Sequence, residues 1–151
     1  MHISVEIGTR APEFELKNQH GTSVGLAGLV GKKSLIVFIP FAFTGVCEGE
    51  LCLIRDRLGE LSANVVAITC DTRFSNKRWA DENNLGFDVL SDFWPHGATA
   101  RAYGAFNDTL GCANRFTFVL DPGGVVRAVI KTDELGVGRE FDAYTEALAA
   151  I

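Results

Sequence analysis

Leu35-Ile36-Val37-Phe38-Ile39-Pro40-Phe41-Ala42-Phe43-Thr44-Gly45-Val46-Cys47 opens with five consecutive apolar residues, the pattern of a strand covered on both faces, and Pro40 ends the run. Past Thr44-Gly45, the segment 46–61 spaces Leu51, Ile54, Leu58 and Leu61 by three and four, as a helix with one buried face does. A central strand therefore feeds a helix through a short loop that contains Cys47. Downstream, Val65-Val66-Ala67-Ile68-Thr69 repeats the buried-strand pattern, 75–84 reads as a helix capped by Ser75, and 87–90 as a further strand. Such alternation predicts a parallel sheet with helices against it.

The two ends of the chain differ from this alternation. Strands over 115–120 and 125–130 flank Asp121-Pro122-Gly123-Gly124, a tight turn that makes an antiparallel hairpin. Residues 140–151 then close as an amphipathic helix through Phe141, Tyr144, Leu148 and Ile151. At the start, Glu13-Phe14-Glu15-Leu16 alternates apolar with polar, and Gln19-His20-Gly21 turns into Thr22-Ser23-Val24. The expected fold is α/β, a mixed β-sheet flanked by helices with an N-terminal β-hairpin, in a single domain over 1–151.

Composition narrows the function. A chain of 151 residues with 47% hydrophobic and 22% charged content reads as globular, with no stretch approaching the ~20 apolar residues of a membrane helix. The formal charge of -5 comes without a Lys/Arg-rich run, which disfavours nucleic acid. Met1-His2-Ile3-Ser4-Val5-Glu6 lacks the basic start and apolar run of a secretory signal, so a cytoplasmic location is expected. Cysteines at 47, 52, 70 and 112 fit no zinc spacing, His96 has no ligand partner nearby in sequence, and Gly123-Gly124 is followed by no helix that would make a phosphate loop. No metal, cofactor or nucleotide is expected. Catalytic or incidental thiols remain.

A cysteine in the first turn of a helix sits among unpaired backbone N–H groups and at the positive end of the helix dipole, which favour its thiolate. Thr44, three residues earlier, can offer its hydroxyl to the sulfur or to a bound oxygen, and Pro40 shields one side. The order Pro40, three residues, Thr44, two residues, Cys47 resembles the signature of the peroxiredoxin family. Glu50 and Arg115 match the acid and arginine of that pattern. Ala11-Pro12-Glu13-Phe14, Asp71 with Phe74-Ser75 and Trp79, Leu90-Ser91-Asp92 and Tyr103-Gly104 extend the resemblance along the chain. Within the family, Ser91-Asp92-Phe93-Trp94-Pro95-His96-Gly97 and Ala113-Asn114-Arg115 are most similar to the alkyl hydroperoxide reductase E subgroup. Asn76 departs from the His that many members carry there.

The resemblance implies a thioredoxin-like fold and a thiol-dependent peroxidase acting on hydrogen peroxide, organic hydroperoxides and peroxynitrite. Cys47 would be the nucleophile, assisted by Thr44, Arg115 and Pro40. Glu50 is read as an orienting partner of Arg115, because a free carboxylate beside a thiolate would oppose it. Cys52, five residues on, has the spacing of Q-type (bacterioferritin comigratory protein) members, where it resolves the sulfenic acid. An intact helix would hold the two sulfurs about 140° past a full turn and about 7.5 Å apart in rise, so it would have to unwind. Resolution by Cys52 or by an external thiol stays open, with Cys112 the lesser internal candidate and Cys70 read as structural.

With no extension after the last helix, the typical two-cysteine class is not expected. The implied partners are a thiol reductant of thioredoxin or mycothiol/mycoredoxin type and a second copy of the chain, as a homodimer or higher homo-oligomer. Phe41, Phe43, Phe93 and Trp94 would surround the site and that interface. Two rivals are weighed: a thioredoxin-like thiol-disulfide oxidoreductase, which would want Cys-x-x-Cys, and a non-enzymatic peroxide sensor or holdase.

Overall fold

The computed structural model describes residues 5–151; Met1–Ser4, the start of the segment read for a signal, lie outside the described residues. An amino-terminal hairpin pairs β1 (Glu15–Lys17) with β2 (Ser23–Gly25). The apolar run forms β3 (Ser34–Phe38) and leads into α1 (Gly45–Asp56). Next come β4 (Asn64–Thr69), α2 (Arg73–Asn83), β5 (Asp88–Ser91) and the short α3 (Ala98–Ala102). A two-residue ribbon, β6 (Phe106–Asn107) with β7 (Cys112–Ala113), precedes the hairpin of β8 (Phe116–Leu120) and β9 (Val126–Lys131), and α4 (Phe141–Ala149) ends the chain.

Seven strands share one sheet in the order β2-β1-β5-β4-β3-β8-β9. The central β5, β4 and β3 run parallel, and β8, antiparallel to β3, pairs Val37 with Thr117. Side chains of β3 alternate between two cores. Leu35 and Val37 join Leu51, Ile54, Trp79, Phe141, Tyr144 and Leu148 beneath α1, α2 and α4. Ile36 and Phe38 join Phe14, Ala100, Tyr103 and Phe118 on the opposite face. Each fully buried side chain of this kind contributes about 1.5–3 kcal/mol, which is why the central strand is apolar on both sides. Among the described residues no helix is long and apolar enough to cross a membrane.

Three expectations are corrected. The helix read over 46–61 ends at Asp56, where Arg57 leaves helical geometry (φ -116°, ψ 19°), and a 3-10 turn, Leu58–Glu60, carries the chain on. That tighter turn still delivers Leu61 to the core, so the apolar spacing persisted past the helix. Thr72, not Ser75, caps α2: its Oγ1 accepts the Ser75 N–H at 3.2 Å, and the helix begins two residues earlier than read. Residues 98–102, 106–107 and 112–113, for which no element was expected, form α3, β6 and β7. The buried Asp92 carboxylate accepts the N–H groups of Thr99 and Ala100 at 3.0 and 2.9 Å, support from outside the helix that leaves no local capping pattern.

Thr72→Ala is therefore expected to lower stability by about 1 kcal/mol, and Ser75→Ala by less than half of that, in urea unfolding. Equal losses would contradict the assigned cap.

Candidate active site

The loop between β3 and α1 is held from below. Pro40 is buried at its root, and the Ala42 N–H donates to Asp71 Oδ2 at 2.8 Å, while the Asp71 N–H donates to Thr69 Oγ1 at 3.0 Å. The end of β4 is thus bonded to the loop. Phe43 takes a left-handed conformation (φ 64°), which costs about 1–2 kcal/mol for an L-residue, and its ring packs 6.3 Å from that of Trp79 in α2.

Thr44 is the N-cap residue, but its hydroxyl does not cap: it donates to Phe41 O at 2.8 Å, which leaves its oxygen free to accept. The first helical bond runs from Glu48 N–H to Thr44 O at 2.9 Å. The N–H groups of Gly45, Val46 and Cys47 therefore precede the ladder and have no intrahelical partner. Cys47, third residue of α1, is fully buried, with Leu51 and Ile54 on the same face.

One turn after Cys47, Glu50 sits between two arginines. Its Oε1 accepts Arg115 Nη1 at 2.5 Å and Arg139 Nη2 at 3.0 Å, and its Oε2 accepts Arg139 Nε at 2.8 Å and the Arg139 backbone N–H at 2.7 Å. Burial by itself raises the Glu50 carboxyl, yet the hydrogen bonds and charge of Arg139, then the charge of Arg115, outweigh it and hold the group below the usual carboxylate range. Arg139 donates further to Phe38 O at 2.8 Å and Thr117 Oγ1 at 3.1 Å, and its Nε, Nη1 and Nη2 are all engaged by the protein. Arg115 is spent differently. Nε donates to Leu135 O at 2.6 Å and Nη1 to Glu50, while Nη2 has no protein partner among the described residues.

Pro40, Thr44 and Cys47 lie on one loop and helix start, and Glu50 joins Arg115 to α1. Arg139 was missed. It stands alone ahead of α4, outside any periodic pattern, and the one hint was its flanking Gly136 and Gly138; a Cβ at Gly138 would meet Glu50 Cγ at 3.4 Å. Cys52 lies on the same unbroken helix as Cys47, half-buried, with its thiol 3.6 Å from Asn83 Oδ1 of α2. His96 ties two loops together through Nε2 to Gly111 O at 2.7 Å, with its ring between those of Phe93 and Phe106. Phe41, Phe43, Phe93 and Trp94 are exposed.

The sequence pattern of the AhpC/TSA family matches residues 7–129 of the chain. Alkyl hydroperoxide reductase E of Mycobacterium tuberculosis (strain ATCC 25618 / H37Rv) is 42% identical over 151 residues, spanning 97% of this chain and 98% of that protein. A putative peroxiredoxin in the rubredoxin operon of Clostridium pasteurianum is 32% identical over 159 residues, spanning 95% and 88%. Among solved structures, Enterococcus faecalis AhpC superposes with a TM-score of 0.87 at 27% identity, covering 98% of this chain and 92% of that one. Peroxidoxin BcpB from Mycobacterium tuberculosis gives 0.85 at 28% identity, covering 97% and 98%.

Because the Glu50 carboxyl is lowered in the folded state, its contribution to stability is whole above its ordinary value of 4.5 and is lost as pH falls below that toward its folded-state value. Glu50→Gln is expected to cost about 3–5 kcal/mol near neutral pH, by stranding two buried guanidiniums. Thermal unfolding of wild type and variant across pH should show the gap closing below 4.5. A gap independent of pH would refute the assigned charge state.

Proposed function

The chain belongs to the AhpC/TSA family of peroxiredoxins, thiol-dependent peroxidases, and on that footing we propose that Cys47 is the sulfur that attacks the peroxide. The observation that carries this is the pairing of a cysteine in the open first turn of α1 with an arginine, Arg115, that Glu50 and Leu135 immobilise while its Nη2 stays unspent. The Cys47 thiolate attacks the hydrogen-bearing oxygen of the hydroperoxide, forming the S–O bond as the O–O bond breaks. The leaving oxygen takes up a proton and departs as alcohol or water, and Cys47 is left as sulfenic acid.

Each neighbour has a role in this step. Thr44, its own proton committed to Phe41 O, accepts the hydroperoxide O–H and so orients the attacked oxygen. Arg115 Nη2 and the first-turn N–H groups donate to the oxygen on which charge develops. Glu50 acts through Arg115 as a positioning residue, and Arg139 keeps Glu50 in place. Pro40 shields the sulfur from the loop side.

The same reading takes hydrogen peroxide, organic hydroperoxides and peroxynitrite as oxidants. A thiol of thioredoxin or mycothiol/mycoredoxin type, or Cys52, resolves the sulfenic acid. Resolution by Cys52 requires α1 to unwind, since the intact helix aims its thiol at Asn83. The exposed Phe41, Phe43, Phe93 and Trp94 support a homodimer or higher homo-oligomer at this face, and the expected location is the cytoplasm.

Stopped-flow fluorescence of the reduced enzyme mixed with hydrogen peroxide tests the assignment. Cys47→Ser is expected to abolish the reaction, and Arg115→Lys, which keeps the charge but loses the planar fork, to slow it about 10²–10³-fold. Undiminished peroxide turnover in Cys47→Ser would refute it.

A further inference from the structure

Three of the four cysteines gather at one end of the sheet. Cys47 and Cys112 are fully buried and Cys70 is 6% exposed. Cys70 is the first residue beyond β4, and the chain on both sides of it is bonded to the Cys47 loop: Ile39 N–H donates to Ile68 O at 3.0 Å, and Ala42 N–H to Asp71. Cys112 arrives from the other direction. It lies in β7 opposite Asn107, three residues before Arg115, whose bond to Glu50 fixes that segment against α1. The Cys70 sulfur lies near Cys112 and the Ala113 backbone. Charge on Cys47 is felt by the Cys112 thiol.

A buried cysteine is ordinarily a small hydrophobe in a core. Neither Cys70 nor Cys112 belongs to either apolar cluster, whereas Cys47 does. We propose that Cys112 and Cys70 form a buried dithiol that resolves oxidised Cys47 from inside the protein, an inference that rests on Cys47 being the peroxide-reactive residue. In the first step the Cys112 sulfur attacks the Cys47 sulfenic sulfur. A Cys47–Cys112 disulfide forms, and the sulfenic oxygen leaves as water with the Cys112 proton. In the second, the Cys70 sulfur attacks Cys112, the new disulfide is Cys70–Cys112, and Cys47 departs carrying the electron pair while the Cys70 proton is released. The two electrons that reduce the sulfenic acid come from the two thiols.

Access favours this route when outside thiol is scarce. An external reductant must reach a fully buried sulfur, whereas Cys112 already shares that burial. Burial also keeps the pair protonated and slow: it pushes the Cys70 thiol up to about 12 and raises that of Cys112. The dithiol therefore does not displace a fast external donor. It competes with the second peroxide that would drive Cys47 to sulfinic acid.

The test is to treat the reduced full-length protein with one equivalent of hydrogen peroxide and no reductant, quench by alkylation under denaturing conditions at intervals, and map every cysteine by mass spectrometry. A Cys47–Cys112 disulfide, giving way to Cys70–Cys112, is expected. Cys112→Ala should then convert Cys47 to sulfinic acid at a several-fold lower peroxide concentration. Persisting Cys47 sulfenic acid with Cys70 and Cys112 both alkylated, or a Cys47–Cys52 disulfide alone, would overturn the proposal while leaving the peroxidase reading intact. Cys47 that stays reduced would overturn both. The wild-type map decides the matter even if Cys112→Ala fails to fold.

Discussion

The buried carboxylate of Glu50, shared by Arg115 and Arg139, is the interaction on which the arrangement around Cys47 depends. It joins α1 to the residue preceding β8 and to the loop ahead of α4, and Arg139 carries the connection on to the end of β3. Buried ion pairs give little net stability compared with apolar packing, but removing one partner costs several kcal/mol because a desolvated charge is left behind. The same bonds settle a chemical conflict. A free carboxylate one turn from Cys47 would oppose negative charge on the sulfur, and here its own charge is engaged by two guanidiniums instead.

The parts of this structure that could be read from sequence are those written as runs or as fixed spacings. Five apolar residues ended by Pro40, followed by leucines and isoleucine at helical intervals, specify a central strand and a helix whose start holds Cys47, and that is how the chain folds. The spacing of Pro40, Thr44 and Cys47, with Glu50 and Arg115, pointed to peroxiredoxins, and the matching relatives bear the family out. Arg139 could not be found this way, because its partner is 89 residues distant and nothing around it repeats. The elements over 98–113 were invisible for a related reason. They are too short for a period to show, and α3 is supported by a carboxylate seven residues before Thr99.

Boundaries failed where tertiary bonds outweighed local pattern. The leucine spacing through Leu61 is continuous, yet the backbone tightens after Asp56 and the same side chains reach the core from a different helix type. At α2 both Thr72 and Ser75 are chemically fit to cap, and sequence alone has no basis for preferring the one that the chain uses. The aromatic residues around the site divide in the same way: Phe43 and Trp94 are exposed, whereas Trp79, equally apolar, is sealed between α1 and the sheet.

The burial of Glu50, Arg115, Arg139 and Cys47 together has a consequence in the balance of charge. Two guanidiniums face one carboxylate, so among the described residues this cluster carries one positive charge that its acid does not balance. A buried charge without a partner is costly, so the cluster favours whatever brings negative charge to it. The preference for negative charge beside the start of α1 is thus a property of the folded chain itself, set in place before any partner arrives.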